Sequence, residues 1–188
     1  MRRRSILVTV LLWALAGVLF AGCAGGPKMA RSEADLKPDK DAAVIIFVRP
    51  NPLSFGGADF SLWDRDHFIG LLDAMTSVQY RAKPGEHMFL VRAENWEIVK
   101  GKVAAGKTYY ILVDPRVGVR GTRVSLSVAG PNDTRVKEWT ARCRPVALAD
   151  PAAGEAFEKK YEKHVNKAIT NAENGRANFT TLSPQQGK

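Results

Sequence analysis

The chain is 188 residues long, with 28 Lys and Arg against 19 Asp and Glu and a net charge of +9 at neutral pH. Three of those charges, Arg2, Arg3 and Arg4, belong to an amino-terminal leader without acids; the rest stands near +6, with about 166 residues, enough for one domain with its own core. That balance fits solubility and attraction to anionic headgroups. The export leader and the lack of a recognisable nucleic-acid motif exclude nucleic acid as a partner.

Residues 6–20 are apolar apart from Thr9 and Gly17, and the small pair Ala21 and Gly22 precedes Cys23. A charged start, an apolar middle and small residues at the end make the tripartite layout of a secretory signal. The run of about 15 residues falls short of the roughly 20 that a spanning helix needs. Gly25, Gly26, Pro27 and Lys28 do not extend it. Leu19-Phe20-Ala21-Gly22-Cys23 resembles the lipobox of bacterial lipoproteins, with Phe20 where such boxes usually carry Leu. The resemblance implies a signal peptide over 1–22, cleavage before Cys23 and lipid attachment at Cys23. A diacylglyceryl group would sit on the sulfur and a further acyl chain on the freed amine. Two or three chains anchor stably where one is marginal, because each buried CH₂ contributes about 0.8 kcal/mol. Ala24 is not Asp, the residue that by the same resemblance retains a lipoprotein at the inner membrane. The expected location is therefore the outer membrane, facing the periplasm.

Residues 23–41 read as a flexible tether, in which only Met29 and Leu36 are large and apolar. A β domain is expected over 42–129. Val44-Ile45-Ile46-Phe47-Val48 is a continuous apolar run, the mark of a strand buried on both faces. Asn51 to Gly57 is a loop. Asp59 to Trp63 and His67 to Leu72 form a hairpin around Asp64-Arg65-Asp66. Thr76 to Arg81 alternates. Lys83-Pro84-Gly85-Glu86 is turn chemistry, followed by strands over 87–93 and 96–103. Thr108-Tyr109-Tyr110-Ile111-Leu112-Val113 is the strongest strand, and Arg123 to Ala129 alternates cleanly. Residues 130–149 read as a connector containing Trp139.

Asp150 is a suitable N-cap, with Pro151 at the first helical position. Phe157, Tyr161, Val165, Ala168, Ile169 and Ala172 make an apolar stripe at helical spacing, so a helix packed on the β domain is expected over 150–175. Asn174-Gly175 supplies its stop, and 176–188 reads as a loose tail. The fold class is mainly β: an antiparallel β-sandwich or partly open barrel of about seven to eight strands with one carboxy-terminal amphipathic helix.

Four features recur together in one known family: the strand from Val44 to Arg49, the hairpin with Phe68-Ile69-Gly70, the turn Lys83-Pro84-Gly85-Glu86-His87, and Ala105-Gly106-Lys107-Thr108-Tyr109-Tyr110. In their order, behind a lipobox, they make 42–114 resemble the domain of unknown function 2846 family of small bacterial lipoproteins. The resemblance implies a compact β domain in the cell envelope and brings no catalytic residues.

Candidate chemistry is sparse. His67, His87 and His164 have no metal-ligand spacing, so no metal or other cofactor is expected. Gly106-Lys107-Thr108 has the end of a phosphate loop but enters a strand, where no helix N-terminus faces a phosphate. With Cys23 lipidated, Cys143 cannot form an internal disulfide; it reads as a buried or inert thiol, with pairing between chains as the other option, and the flanking Arg142 and Arg144 would lower its pKa if it were exposed. Trp63, Trp96 and Trp139 read as core with wet indole N–H groups rather than as a ligand face.

The function expected is that of a lipid-anchored envelope protein, a non-catalytic binding or structural module. Its partners are the membrane, through acylated Cys23, and an envelope protein or cell-wall material. The alternative is an envelope hydrolase acting on peptidoglycan or lipid, which requires His67, His87 or Cys143 to meet a carboxylate in a pocket. A purely structural module would use the stripe from Phe157 to Ala172 as an interface.

Overall fold

The computed structural model describes residues 26–52, 59–119 and 121–188. The signal peptide over 1–22, the lipobox with Cys23, and most of the 51–57 loop lie outside the described residues. Among the described residues six strands form one sheet, in the order β1 (Met29–Arg31), β10 (Arg144–Leu148), β5 (Thr76–Ala82), β2 (Ala43–Arg49), β8 (Thr108–Val117) and β9 (Thr122–Val128). Five form a second: β11 (Thr180–Leu182), β7 (Trp96–Val103), β6 (Gly85–Arg92), β3 (Phe60–Asp64) and β4 (His67–Leu72). Helices α1 (Arg135–Arg142) and α2 (Pro151–Glu173) complete the domain.

The two sheets make a sandwich, and they are mixed rather than antiparallel throughout. The local hairpins β3–β4, β6–β7 and β8–β9 pair antiparallel, but β2–β8, β10–β5 and β11–β7 pair parallel. The chain alternates between sheets, leaving β2 for the β3–β4 hairpin and returning as β5. It then leaves for β6–β7 and returns as β8. Such an excursion supplies the long crossover that parallel neighbours need.

Alternation along each strand sorts side chains into three apolar layers. Ile45, Phe47, Leu62, Phe89, Tyr109 and Ile111 are buried between the sheets, with Phe47 meeting Phe89 edge-on at 5.7 Å. The intervening residues Trp63, Phe68, Met88, Leu90 and Ile98 face away from that layer and are covered by Val165, Ala168, Ile169 and Ala172 of α2. On the opposite flank, Val48 packs with Val136, Trp139 and Cys143 around α1, against Ile46, Tyr110 and Leu112. Each fully buried side chain of this size stabilises by about 1.5–3 kcal/mol. The apolar run of β2 is continuous because both of its faces are covered.

Helix α2 begins and ends as its residues dictate. The Asp150 side chain accepts from the Ala152 N–H at 3.0 Å, with Pro151 in the first turn. Gly175 takes the left-handed conformation at φ 68° and Arg176 N–H closes on Asn171 O at 2.8 Å. Val165, Ala168, Ile169 and Ala172 of the stripe are buried against the sheet, and Phe157 and Tyr161 are half-buried.

Three assignments need correcting. The tether over 23–41 contains β1, and Met29 pairs with Leu148 and Arg31 with Val146. The connector over 130–149 contains both α1 and β10. The loose tail over 176–188 is held by β11, in which Leu182 is buried, and by mutual backbone bonds of Lys188 and Thr108 at 3.0 Å. β1 and β11 are three-residue edge strands and β10 lies between β1 and β5, and the partners of all three are distant in sequence.

Candidate functional site

Where β2 and β4 end and β3, β5 and β10 begin, polar side chains collect at one end of the sandwich. Lys28, Asp59, Asp73, Thr76 and Arg144 line a cavity of about 360 Å³ there. A second cavity of about 450 Å³ shares Gly26, Asp59 and Leu71 with it and extends to Arg92, Gly121 and Thr122. Gly26 lies against the Leu71 side chain and the Phe157 ring, so the chain enters the described structure at this wall.

Arg49 terminates the apolar run of β2 and is fully buried. Its Nη1 donates to Leu72 O at 3.2 Å, and its guanidinium lies 4.2 Å from the centre of the Phe60 ring. Burial pushes its pKa down, opposed by the charges of Asp73 and Asp59. Asp59 is shifted upward, by burial first and then by repulsion from Asp73, with Arg49 opposing. The result is a half-open cavity with charges of both signs and a guanidinium behind its wall. It suits a polar or ionic group rather than an apolar one.

The histidines go elsewhere. His87 Nδ1 lies 2.7 Å from Asp64 Oδ2, and its Nε2 lies 2.7 Å from Lys83 O. Tyr80 donates its hydroxyl to the same Asp64 oxygen at 3.0 Å. Both ring nitrogens face acceptors, so the doubly protonated imidazolium satisfies both. The pKa of His87 is raised, chiefly by the Asp64 hydrogen bond and against the effect of burial. The Tyr80 hydroxyl is pushed up by burial and the Asp64 charge, and holds its proton. His67 Nδ1 pairs with Glu158 Oε1 at 2.7 Å, and the same oxygen accepts from Phe68 N–H, tying β4 to α2. His164 is exposed beside the Tyr161 ring.

Two histidines therefore do meet carboxylates, on either side of Tyr80. Cys143 is in a different layer, buried under α1, where burial pushes its thiol up. Trp63 and Trp139 are buried and Trp96 half-buried, with Trp63 Nε1 donating to Ser61 Oγ at 3.0 Å. Lys107 Nζ donates to the Pro184 and Gly187 carbonyls, which commits the Gly106-Lys107-Thr108 segment to holding the carboxy terminus. No three His, Cys, Asp or Glu side chains are grouped to hold a metal among the described residues. No helix there is long and apolar enough to cross a membrane.

No family model and no curated protein matches the chain. The charged cavity was not visible in the sequence, because Asp59, Asp73 and Arg144 come from separate segments. The one local signal was Arg49, a charged residue directly closing a fully apolar strand.

Proposed function

We propose that this chain is a bacterial lipoprotein whose β-sandwich is held at the periplasmic face of the outer membrane by acylated Cys23, and that it works there as a non-catalytic binding or structural module. Kinship of 42–114 with the domain of unknown function 2846 family is part of that proposal. The observation that carries it is the order Arg2-Arg3-Arg4, an apolar run over 6–20, and Ala21-Gly22-Cys23 directly before a folded domain.

The position of Gly26 supports a short spacer. Two residues, Ala24 and Gly25, separate it from Cys23, a reach of at most about 10 Å. Because β1 is paired into the sheet, the domain stands near the bilayer rather than on a long leash. The non-catalytic half is supported by the commitments of the candidate groups: both His87 nitrogens are engaged, His67 braces α2, and Cys143 is sealed beneath α1. The charged cavity beside Gly26 is the place for a polar envelope ligand.

The deciding experiment is Cys23→Ser in the native host. The wild-type protein fractionates with membrane at high salt and incorporates labelled fatty acid; the variant does neither. A variant that stays with the membrane at high salt overturns the lipid assignment. Turnover of peptidoglycan or phospholipid by the purified protein would overturn the non-catalytic half in favour of the hydrolase.

A further inference from the structure

Among the described residues the exposed large apolar side chains are Val117, Val119 and Phe179, and two of them sit at the tip of the β8–β9 hairpin. Val117 is 78% and Val119 92% exposed. Valines so placed forgo the burial that holds the rest of the domain together, where the other described valines largely lie inside. The base of the tip is firmly built. Val117 pairs with Thr122, Gly118 N–H donates to Gly121 O at 2.9 Å, and Glu94 N–H donates to Thr122 O at 3.0 Å. Asn95 braces the next residues, donating to Val124 O at 3.0 Å and accepting from Val124 N–H at 2.8 Å. The valines are thus presented on a fixed support, which lowers the ordering cost of inserting them.

Position names the occupant. Arg116 and Arg123 flank the valines and pair directly across the hairpin. Arg116 also reaches Asp114 Oδ2 at 2.9 Å and donates to Ser125 Oγ at 3.0 Å, the Glu94 carboxylate lies against Gly118, and Glu97 feels the charge of Arg123, so carboxylates offset the local positive charge. Gly121 and Thr122 wall the same cavity as Gly26. Gly26 stands three residues from Cys23, so the base of the tip shares a wall with the point where the described chain begins.

We propose that the β8–β9 tip is a second membrane contact: Val117 and Val119 enter the headgroup layer of the bilayer that holds the lipid on Cys23, and Arg116 and Arg123 lie against anionic phosphates. The inference rests on the lipoprotein reading above. A pair of valines with two arginines is too weak to hold a protein alone. Beside covalent acyl chains it fixes orientation, turning a tethered domain into one with a defined face toward the periplasm.

The test uses full-length protein matured in its host, purified and reconstituted into vesicles of phosphatidylethanolamine and phosphatidylglycerol. An environment-sensitive fluorophore is attached to Val119→Cys or, as a control, to Phe179→Cys. The label at 119 should shift to the blue on vesicles and lose severalfold of its quenching by aqueous iodide relative to detergent. The label at 179 should stay accessible, and replacing phosphatidylglycerol with phosphatidylcholine should reverse much of the protection at 119. A label at 119 that is equally quenched while the protein remains on the vesicles overturns the tip contact and leaves the lipoprotein reading intact. Protection seen only in native envelopes, and not on pure lipid, overturns it in favour of a protein partner. A free thiol at Cys23 in the matured protein overturns both.

Discussion

His87 and Asp64 form a pair in which the imidazole Nδ1 lies 2.7 Å from Oδ2, with both side chains about nine-tenths buried. The second ring nitrogen is taken by Lys83 O, and Tyr80 donates to the same carboxylate. The group therefore joins β3, β5 and the β5–β6 turn through a charge that the protein can lose.

That charge makes stability depend on pH. The folded-state pKa of His87 is raised above its usual 6.5. The folded protein therefore holds its proton more tightly than the unfolded chain does. The stabilisation is fully present below the unfolded value and is lost as pH rises through the raised folded one. His87→Gln should cost roughly 2 kcal/mol in acid, the scale of a hydrogen bond to a charged group, and progressively less in alkali. Urea melts of both proteins across neutral pH check this; parallel stability curves would disprove it.

The layer beneath α2 is the second exposed weakness. Trp63 is fully buried, 5.0 Å from the Phe68 ring centre and 6.0 Å from that of Phe157. Trp63→Ala should cost about 3–5 kcal/mol, the usual range for emptying such a site. Deleting 150–188 uncovers the whole face, including Met88, Leu90 and Ile98, and removes β11 as well. The truncated protein should bind a hydrophobic dye and lose cooperative unfolding. A truncated domain that melts sharply would reopen the helix as a partner interface.

Legibility in the sequence followed the range of the forces that decide each element. The run Val44 to Val48, the alternation of 123–129 and the stripe of α2 were readable because their patterns are local. Asp150 and Gly175 did what capping chemistry requires. Met29–Arg31 and Thr180–Leu182 were not readable: three residues carry no periodicity, and their strand character comes from β10 and β7. The eight residues of α1 bury only Val136 and Trp139, too few to show a period. The parallel pairing of β2 with β8 was hidden for the same reason, since it depends on where two excursions through the other sheet return. The charged cavity needed three dimensions, because Arg49 meets Asp59 and Asp73 only when β2, β3 and β4 reach one end.

The carboxy-terminal strand offers a third test at Gly101. A Cβ there would overlap the carbonyl of Leu182, a backbone group that cannot swing aside. Gly101→Ala should therefore expel β11 from β7, with a loss of roughly 2 kcal/mol or more as Leu182 leaves the core. Hydrogen exchange should quicken along Thr180–Leu182 and spare β2. Unchanged exchange in that strand would show that β7 accommodates the Cβ without releasing β11.

The two cysteines allow a count that joins fold and anchor. Cys143 is buried with Val48, Ala129, Val136 and Trp139, and burial pushes its thiol pKa above the usual 9.0. A thiol both shielded and protonated attacks reagents slowly, since the thiolate is the reacting form. A hydrogen bond with the Arg49 backbone and the charge of Arg142 draw the pKa down, yet desolvation is the larger effect. Acylation removes the sulfur of Cys23 from the count altogether. Protein matured in its host should show no thiol reacting rapidly in the folded state and one after denaturation. The same chain made without its export machinery should show one and two. A rapidly reacting thiol in the folded, host-matured protein would mean that α1 does not seal Cys143 or that Cys23 is bare, and Cys143→Ala separates these, because it abolishes the signal only in the first case.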